Sequence, residues 1–185
     1  RVEDRRLADR IRNSSLLEVT LIGEILLFVD KLGINAREEL LRELSMAYIR
    51  PYYIFTRPAE DLEDFVSWAC KRGFLLGIVS NTMYGRATRR LLSRYGLRRY
   101  FKAIALSDEV GFRKPHPKIF RHALKRLRVK PGDAVMVGDE FCDIYGANKL
   151  GLKTIQFVGF RREEIGLEDF KARSFEEVKE YLKSF

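Results

Sequence analysis

The 185 residues carry 35 Lys or Arg against 26 Asp or Glu, a formal net charge of +9, with 46% hydrophobic and 33% charged residues. A chain of that length can bury one good core with a small appended unit, and the composition describes a soluble globular protein. No apolar run approaches a membrane span and no signal peptide is visible, so no membrane partner is expected.

Two cysteines, Cys70 and Cys142, lack metal-ligand spacing and suit a reducing cytoplasm. Dense charge with few cysteines is also compatible with a thermophilic source. The basic excess raises nucleic acid as a partner, with Arg86, Arg89, Arg90 and Arg94 clustered and Arg98 and Arg99 close behind. Acidic residues are interspersed nearly everywhere else, and no nucleic-acid module is recognisable. The expectation is therefore no nucleic acid, and a basic surface that suits a small anionic substrate. A monomer or homodimer is expected.

The chain starts at Arg1 without an initiator Met, so a preceding segment is expected to have been removed or to lie outside it. Residues 3–13 are charged, with Leu7 and Ile11 four apart as on a helix. From Leu17, apolar positions recur at 17, 21, 25, 28 and 32, which predicts a helix stopped by Gly33. Asn35 and Glu38 then form a capping box for a further helix through about Ile49. From Pro58 helices and strands alternate. The pattern predicts a helix over 60–72 with Leu62, Phe65, Val66 and Ala69 inward, a strand over 75–79 and a helix from Gly85 to Tyr95. A strand over 103–107 comes next, then a helix opened by Pro117 and running to Leu127, and strands at 134–137 and 154–158. A strand-like piece near Ala172 and a helix from Phe175 to Leu182 close the chain. Such alternation implies an α/β fold with a parallel, doubly wound sheet.

Three stretches carry the chemistry. Ala134-Val-Met-Val-Gly-Asp-Glu-Phe-Cys-Asp-Ile-Tyr-Gly-Ala147 is an apolar strand ended by Gly138-Asp139, with Asp143 on the first turn of the next helix. Both carboxylates can then face one point above the sheet, where hard oxygen ligands suit Mg²⁺. The alternative is a plain strand-to-helix turn with Asp139 as cap. Phe74-Leu-Leu-Gly-Ile-Val-Ser-Asn-Thr82 brings Ser80 and Asn81 to a second strand end. There the Ser80 hydroxyl and nearby N–H groups can hold a phosphate, and the Asn81 amide can orient substrate. Ser107-Asp-Glu-Val-Gly-Phe-Arg-Lys-Pro-His-Pro-Lys118 delivers Lys114, whose ammonium can neutralise a phosphoryl group. Structural readings compete for each: a cap for Ser80, a surface lysine in a Pro-rich turn for Lys114. His116 reads as positional and His122 as solvent-facing. Cys142 reads as a small buried side chain rather than a nucleophile.

In this order, strand-Ser-Asn, Lys-Pro-x-Pro and Gly-Asp-x-x-x-Asp resemble the second, third and fourth motifs of the haloacid dehalogenase superfamily. The resemblance runs from Pro58 to the C-terminus. It implies a Rossmann-like core over 58–185 and a small helical cap over 1–57, and an Mg²⁺-dependent phosphohydrolase of a small phosphorylated metabolite. Asp139 and Asp143 would ligate the metal, while Ser80, Asn81 and Lys114 would hold the phosphate. That family's first motif, a strand ending in Asp-x-Asp, supplies the nucleophile that forms an aspartyl-phosphate. No such pair precedes Ser80 in a strand context. The internal candidate is Asp30 in Leu26-Leu-Phe-Val-Asp-Lys-Leu-Gly33, but Leu32 stands where the acid/base belongs and the helical stripe explains the same residues. The expectation is that the nucleophile strand lies outside these residues, and that residues 1–185 alone are inactive. The alternatives are a non-catalytic binding protein that has lost its nucleophile, and a phosphomutase.

Overall fold

The structure is a computed structural model and describes residues 2–159 and 165–185; Arg1, on which the expectation of a missing leader rests, lies outside them. Three helices come first: α1 (Val2–Ser15), α2 (Leu21–Lys31) and α3 (Glu38–Phe55). The apolar stripe predicts that α2 starts at Leu17, yet Thr20 caps it, its Oγ1 accepting from Gly23 N at 3.2 Å. A side-chain cap fixes a helix start more sharply than an apolar stripe does. Leu17 is left outside, in an antiparallel bridge with Phe112. α3 begins after Arg37 with no side-chain cap, so the Asn35–Glu38 box does not form, and it runs through Pro51 to Phe55. Pro51 removes one backbone donor. The turn beyond it is held from outside, where Arg94 Nη1 donates to Tyr53 O (3.3 Å) and Tyr95 OH to Thr56 O (3.0 Å).

The remainder alternates as expected: α4 (Leu62–Lys71), β1 (Leu76–Ser80), α5 (Gly85–Arg94), β2 (Phe101–Leu106), the short α6 (Ser107–Val110) and α7 (Pro117–Leu127). β3 (Val135–Gly138), α8 (Phe141–Asn148), β4 (Lys153–Phe157), β5 (Phe170–Ala172) and α9 (Phe175–Leu182) complete it. All strand pairs are parallel, in two ladders, β1-β2 and β3-β4-β5. Within β1-β2 the register slips where Leu76 faces Phe101 but Gly77 faces Ala103. That bulge at Lys102 puts Phe101 and Ala105 on opposite faces despite their even spacing.

Both ladders share the layers that cover them. On one face Leu76 of β1, Val135 and Val137 of β3, and Ile155 and Phe157 of β4 pack with Phe65 and Val66 of α4 and Val178 of α9. On the other, Val79, Ala105 and Met136 pack with Ile119, Phe120 and Ala123 of α7 and Ala147 of α8. Alternate residues of β3 thus serve opposite clusters, as strand geometry requires. β1 and β3 each pair on one side only, and among the described residues no hydrogen-bonded pairing joins the two ladders. No helix among those residues is long and apolar enough to cross a membrane.

Candidate active site

β1 and β3 end at Ser80 and Gly138. Asn81 and Asp139 are the first residues past those ends, so their chemistry collects at the C-terminal side of parallel strands. The turn leading from β3 into α8 is a tight unit. Glu140 caps α8 reciprocally: Asp143 Oδ2 accepts from Glu140 N at 3.1 Å, and the Glu140 side chain accepts in turn from the first helical turn. Asp143 is almost fully buried. Gly138 makes room for it, because a Cβ at that position would stand 2.4 Å from Asp143 Cβ. Gly146 likewise lets α8 approach Phe120 and Pro115, where a Cβ would lie 2.6 Å from the Phe120 ring.

Lys114 reaches this unit from the loop between α6 and α7. Its Nζ is 2.5 Å from Asp143 Oδ1, and its side chain is only 10% exposed. The lysine is aimed by its backbone. Asn81 Oδ1 accepts from Lys114 N (2.7 Å) and Asn81 Nδ2 donates to Lys114 O (3.2 Å), so the amide side chain clamps one residue's backbone from both ends. This structural role stands beside the expectation that the amide orients substrate. It already holds the lysine. His116 is positional as read, capping α7 through Nδ1, which accepts from Lys118 N at 3.2 Å. His122 is half-buried instead of solvent-facing, and its Nε2 accepts from Arg126 Nε at 2.9 Å.

The structure thus joins Asn81, Lys114 and Asp143 by direct contact, and sets Ser80 and Asp139 beside them at the strand ends. Asp30 does not join them; it lies exposed on the last turn of α2. Asp61 and Asp64 are exposed at the start of α4. One further acid belongs to the site. Ligand atoms of Glu140, Cys142 and Asp143 lie within 4.8 Å of one another. Burial pushes the Cys142 thiol up to about 12, and sulfur is a soft donor that suits a hard cation poorly. Carboxylate oxygens of Glu140 and Asp143 remain, with Asp139 next in the chain, and such oxygens are the donors that fit a hard cation such as Mg²⁺. The Glu140-x-x-Asp143 spacing is a capping-box signal legible in the sequence.

Outside this centre, two acids have structural roles that the sequence hides. Asp108 Oδ2 accepts from Gly85 N at 2.7 Å, capping α5 from the first turn of α6, and burial raises its pKa. Glu18 is buried between Arg12 and Arg113.

Comparison with known proteins places this geometry. A family model described as haloacid dehalogenase-like hydrolase matches residues 7–151. The chain is 41% identical over 165 residues to a glyceraldehyde 3-phosphate phosphatase of Pyrococcus furiosus, covering 80% of this chain and 68% of that protein. It is 31% identical over 156 residues to the protein of the same name from Methanopyrus kandleri, covering 84% and 64%. A solved haloacid dehalogenase-type phosphatase from Thermococcus onnurineus superposes with a TM-score of 0.67 at 29% identity, over 84% of this chain and 69% of that one. The chain spans about two thirds or less of the length of these curated relatives.

Proposed function

Because this chain belongs to the haloacid dehalogenase-like hydrolase family, we propose that it hydrolyses a small phosphorylated metabolite with the help of Mg²⁺. The observation that carries this reading is the Asn81–Lys114–Asp143 contact at the strand ends. It supplies a fixed ammonium beside a buried carboxylate, the pair that a dianionic phosphoryl group and its counter-ion need. In this reading Ser80 holds a phosphate oxygen, and Lys114 offsets charge that builds up on the phosphoryl oxygens. Asp139 and Asp143, with Glu140, would hold Mg²⁺, which supplies electrophilic charge when bound. Residues 1–57 form the cap, and its side chains choose the substrate. The names of the relatives favour a triose-sized phosphate, so glyceraldehyde 3-phosphate is the first compound to assay.

The attacking group in this proposal is an aspartate on a further strand that pairs with the open edges of β1 and β3. It attacks phosphorus to form an aspartyl-phosphate as the alkoxide leaves, and water then releases phosphate. Unpaired strand edges inside a layered sheet are costly, which favours such a strand.

The test is Asp139→Asn in the full-length protein, assayed with glyceraldehyde 3-phosphate and an aryl phosphate across a Mg²⁺ titration. Turnover is expected to fall by about a hundredfold or more, since one of few carboxylate ligands is lost. Near-normal activity at saturating Mg²⁺ would overturn the metal assignment. A wild-type protein that binds phosphate esters without turning them over would replace the enzyme by the binding-protein reading.

A further inference from the structure

We propose that Glu18, on the segment between α1 and α2, is a positioning residue that sets where the Lys114 ammonium stands. The inference rests on the phosphatase reading for its kinetic consequence, but its geometry stands alone. Six residues close a ring. Arg113 precedes Lys114 in the chain, and its Nη1 is 2.6 Å from Glu18 Oε2. The same Glu18 oxygen takes the Ser107 hydroxyl. Ser107 Oγ accepts from Thr82 N at 2.8 Å, and Thr82 is the residue after Asn81. Asn81 then returns to Lys114 through the clamp at 2.7 and 3.2 Å. Glu18 is the one member supplied by the N-terminal helical segment; of the others, Ser107 opens α6 and the remaining four come from the loops around the strand ends.

Glu18 has little freedom to leave this ring. Its side chain is fully buried, and its other oxygen, Oε1, takes Arg12 Nε at 3.0 Å. Arg12 is itself buried, donating to Val19 O at 2.6 Å and pairing with Glu24. Burial works against the Arg12 charge, and Glu24 and Glu18 more than offset it, so its pKa lies above the ordinary arginine value. Two cations thus face two anions in a buried place, where removing one partner is strongly felt. The backbone takes the same line: Glu18 N donates to Gly111 O (3.0 Å), and Arg113 N donates to Leu16 O (2.8 Å). Leu21 N donates to Met83 O at 2.8 Å, just past the second loop. A shift of the α1–α2 segment therefore carries the Arg113–Lys114 loop with it. Among the described residues, Glu18 is the one carboxylate paired with Arg113. Without that charge Arg113 loses its anchor, and the lysine next to it loses its aim.

The experiment is Glu18→Gln, which keeps the shape and removes the charge, in the full-length protein. Amide hydrogen exchange at Thr82 and Lys114 is expected to quicken about tenfold, with exchange in β4 unchanged. kcat is expected to fall about tenfold with KM within about twofold, because the lysine acts on charge that develops during reaction. In a Lys114→Ala background the same substitution should cost less than about twofold, since the group it positions is gone. Ser107→Ala opens the ring at a second link without altering charge and should give the same pattern more weakly; it decides the matter if Glu18→Gln does not fold. Equal losses in both backgrounds, or unchanged exchange at Thr82 and Lys114, would overturn the inference. If the wild-type protein turns over no phosphate ester, the phosphatase reading falls, and the exchange measurement still decides the ring.

Discussion

The N-terminal helices and the α/β layers beneath them are held by different forces. In the layers, Ile119, Ile144, Ile155 and Val178 have no exposed surface, and both faces of the strands are covered by apolar side chains. Over α1–α3 the buried apolar residues among those described are Ala8, Leu21 and Val29, while Leu26 stays 45% exposed and Phe55 77%. What fastens those helices to the layers is ionic and backbone bonding around Glu18, together with the Arg94 and Tyr95 bonds to the end of α3. Apolar burial is non-directional and fixes that parts adhere. Buried charges with short bonds fix where a part sits. In this molecule the first force builds the platform, and the second aims a side chain on it.

The contrast can be sharpened first through stability. Ile155→Ala should cost about 2–5 kcal/mol, read from denaturant or thermal unfolding, because the cavity opens in a core that cannot collapse. Leu26→Ala, on the half-exposed side of α2, should cost about 1 kcal/mol or less. Comparable losses at the two positions would erase the distinction. A second substitution probes how closely the layers are fitted around the site. Gly138→Ala would set a Cβ 2.4 Å from that of Asp143. It should lower turnover about ten- to a hundredfold, or roughly 1.4–2.7 kcal/mol, even where the protein still folds. A loss under about twofold would mean that α8 yields and that the fit is loose.

The smallest effect contrasts two ion pairs. Arg89 binds Glu109 at 2.5 and 2.7 Å, yet both side chains are more than a third exposed, unlike Glu18 and its arginines. Arg89→Ala should therefore cost about 1 kcal/mol or less. The hydrogen bond from Arg89 holds the Glu109 carboxyl below its ordinary 4.5. A depressed carboxyl stabilises the fold above its unfolded pKa and stops doing so as pH falls through the folded value. The melting difference between wild type and Arg89→Ala should be present at pH 7 and shrink below pH 4.5. A difference that persists at pH 2 would point to packing of the arginine stem instead.

The sequence was most legible where a local signal marked a boundary. α7 spans Pro117–Leu127 and α9 Phe175–Leu182, as read, because Pro117 opens one and Ser174 caps the other, its Oγ accepting from Glu177 N at 3.2 Å. Where two local signals competed, the reading slipped, as when the stripe from Leu17 lost to the Thr20 cap. At the candidate site, motif residues near strand ends were enough to expect Asn81, Lys114 and Asp143 close together, as the structure has them. The clamp that Asn81 places on the Lys114 backbone was not legible, since an amide that holds a backbone and one that faces a ligand have the same spelling. Glu18 was hidden for a deeper reason. Its partners Ser107 and Arg113 are 89 and 95 positions away, and no periodicity or motif links such residues before the chain folds.

The buried cluster of Arg12, Glu18, Glu24 and Arg113 also has a consequence for heat. Water's grip on charged groups weakens as temperature rises, so the cost of keeping Arg12 and Glu18 dry declines, whereas apolar stabilisation levels off. An anchor of largely buried charge therefore loosens less on warming than an apolar seam of the same extent, and Lys114 keeps its aim in hot water.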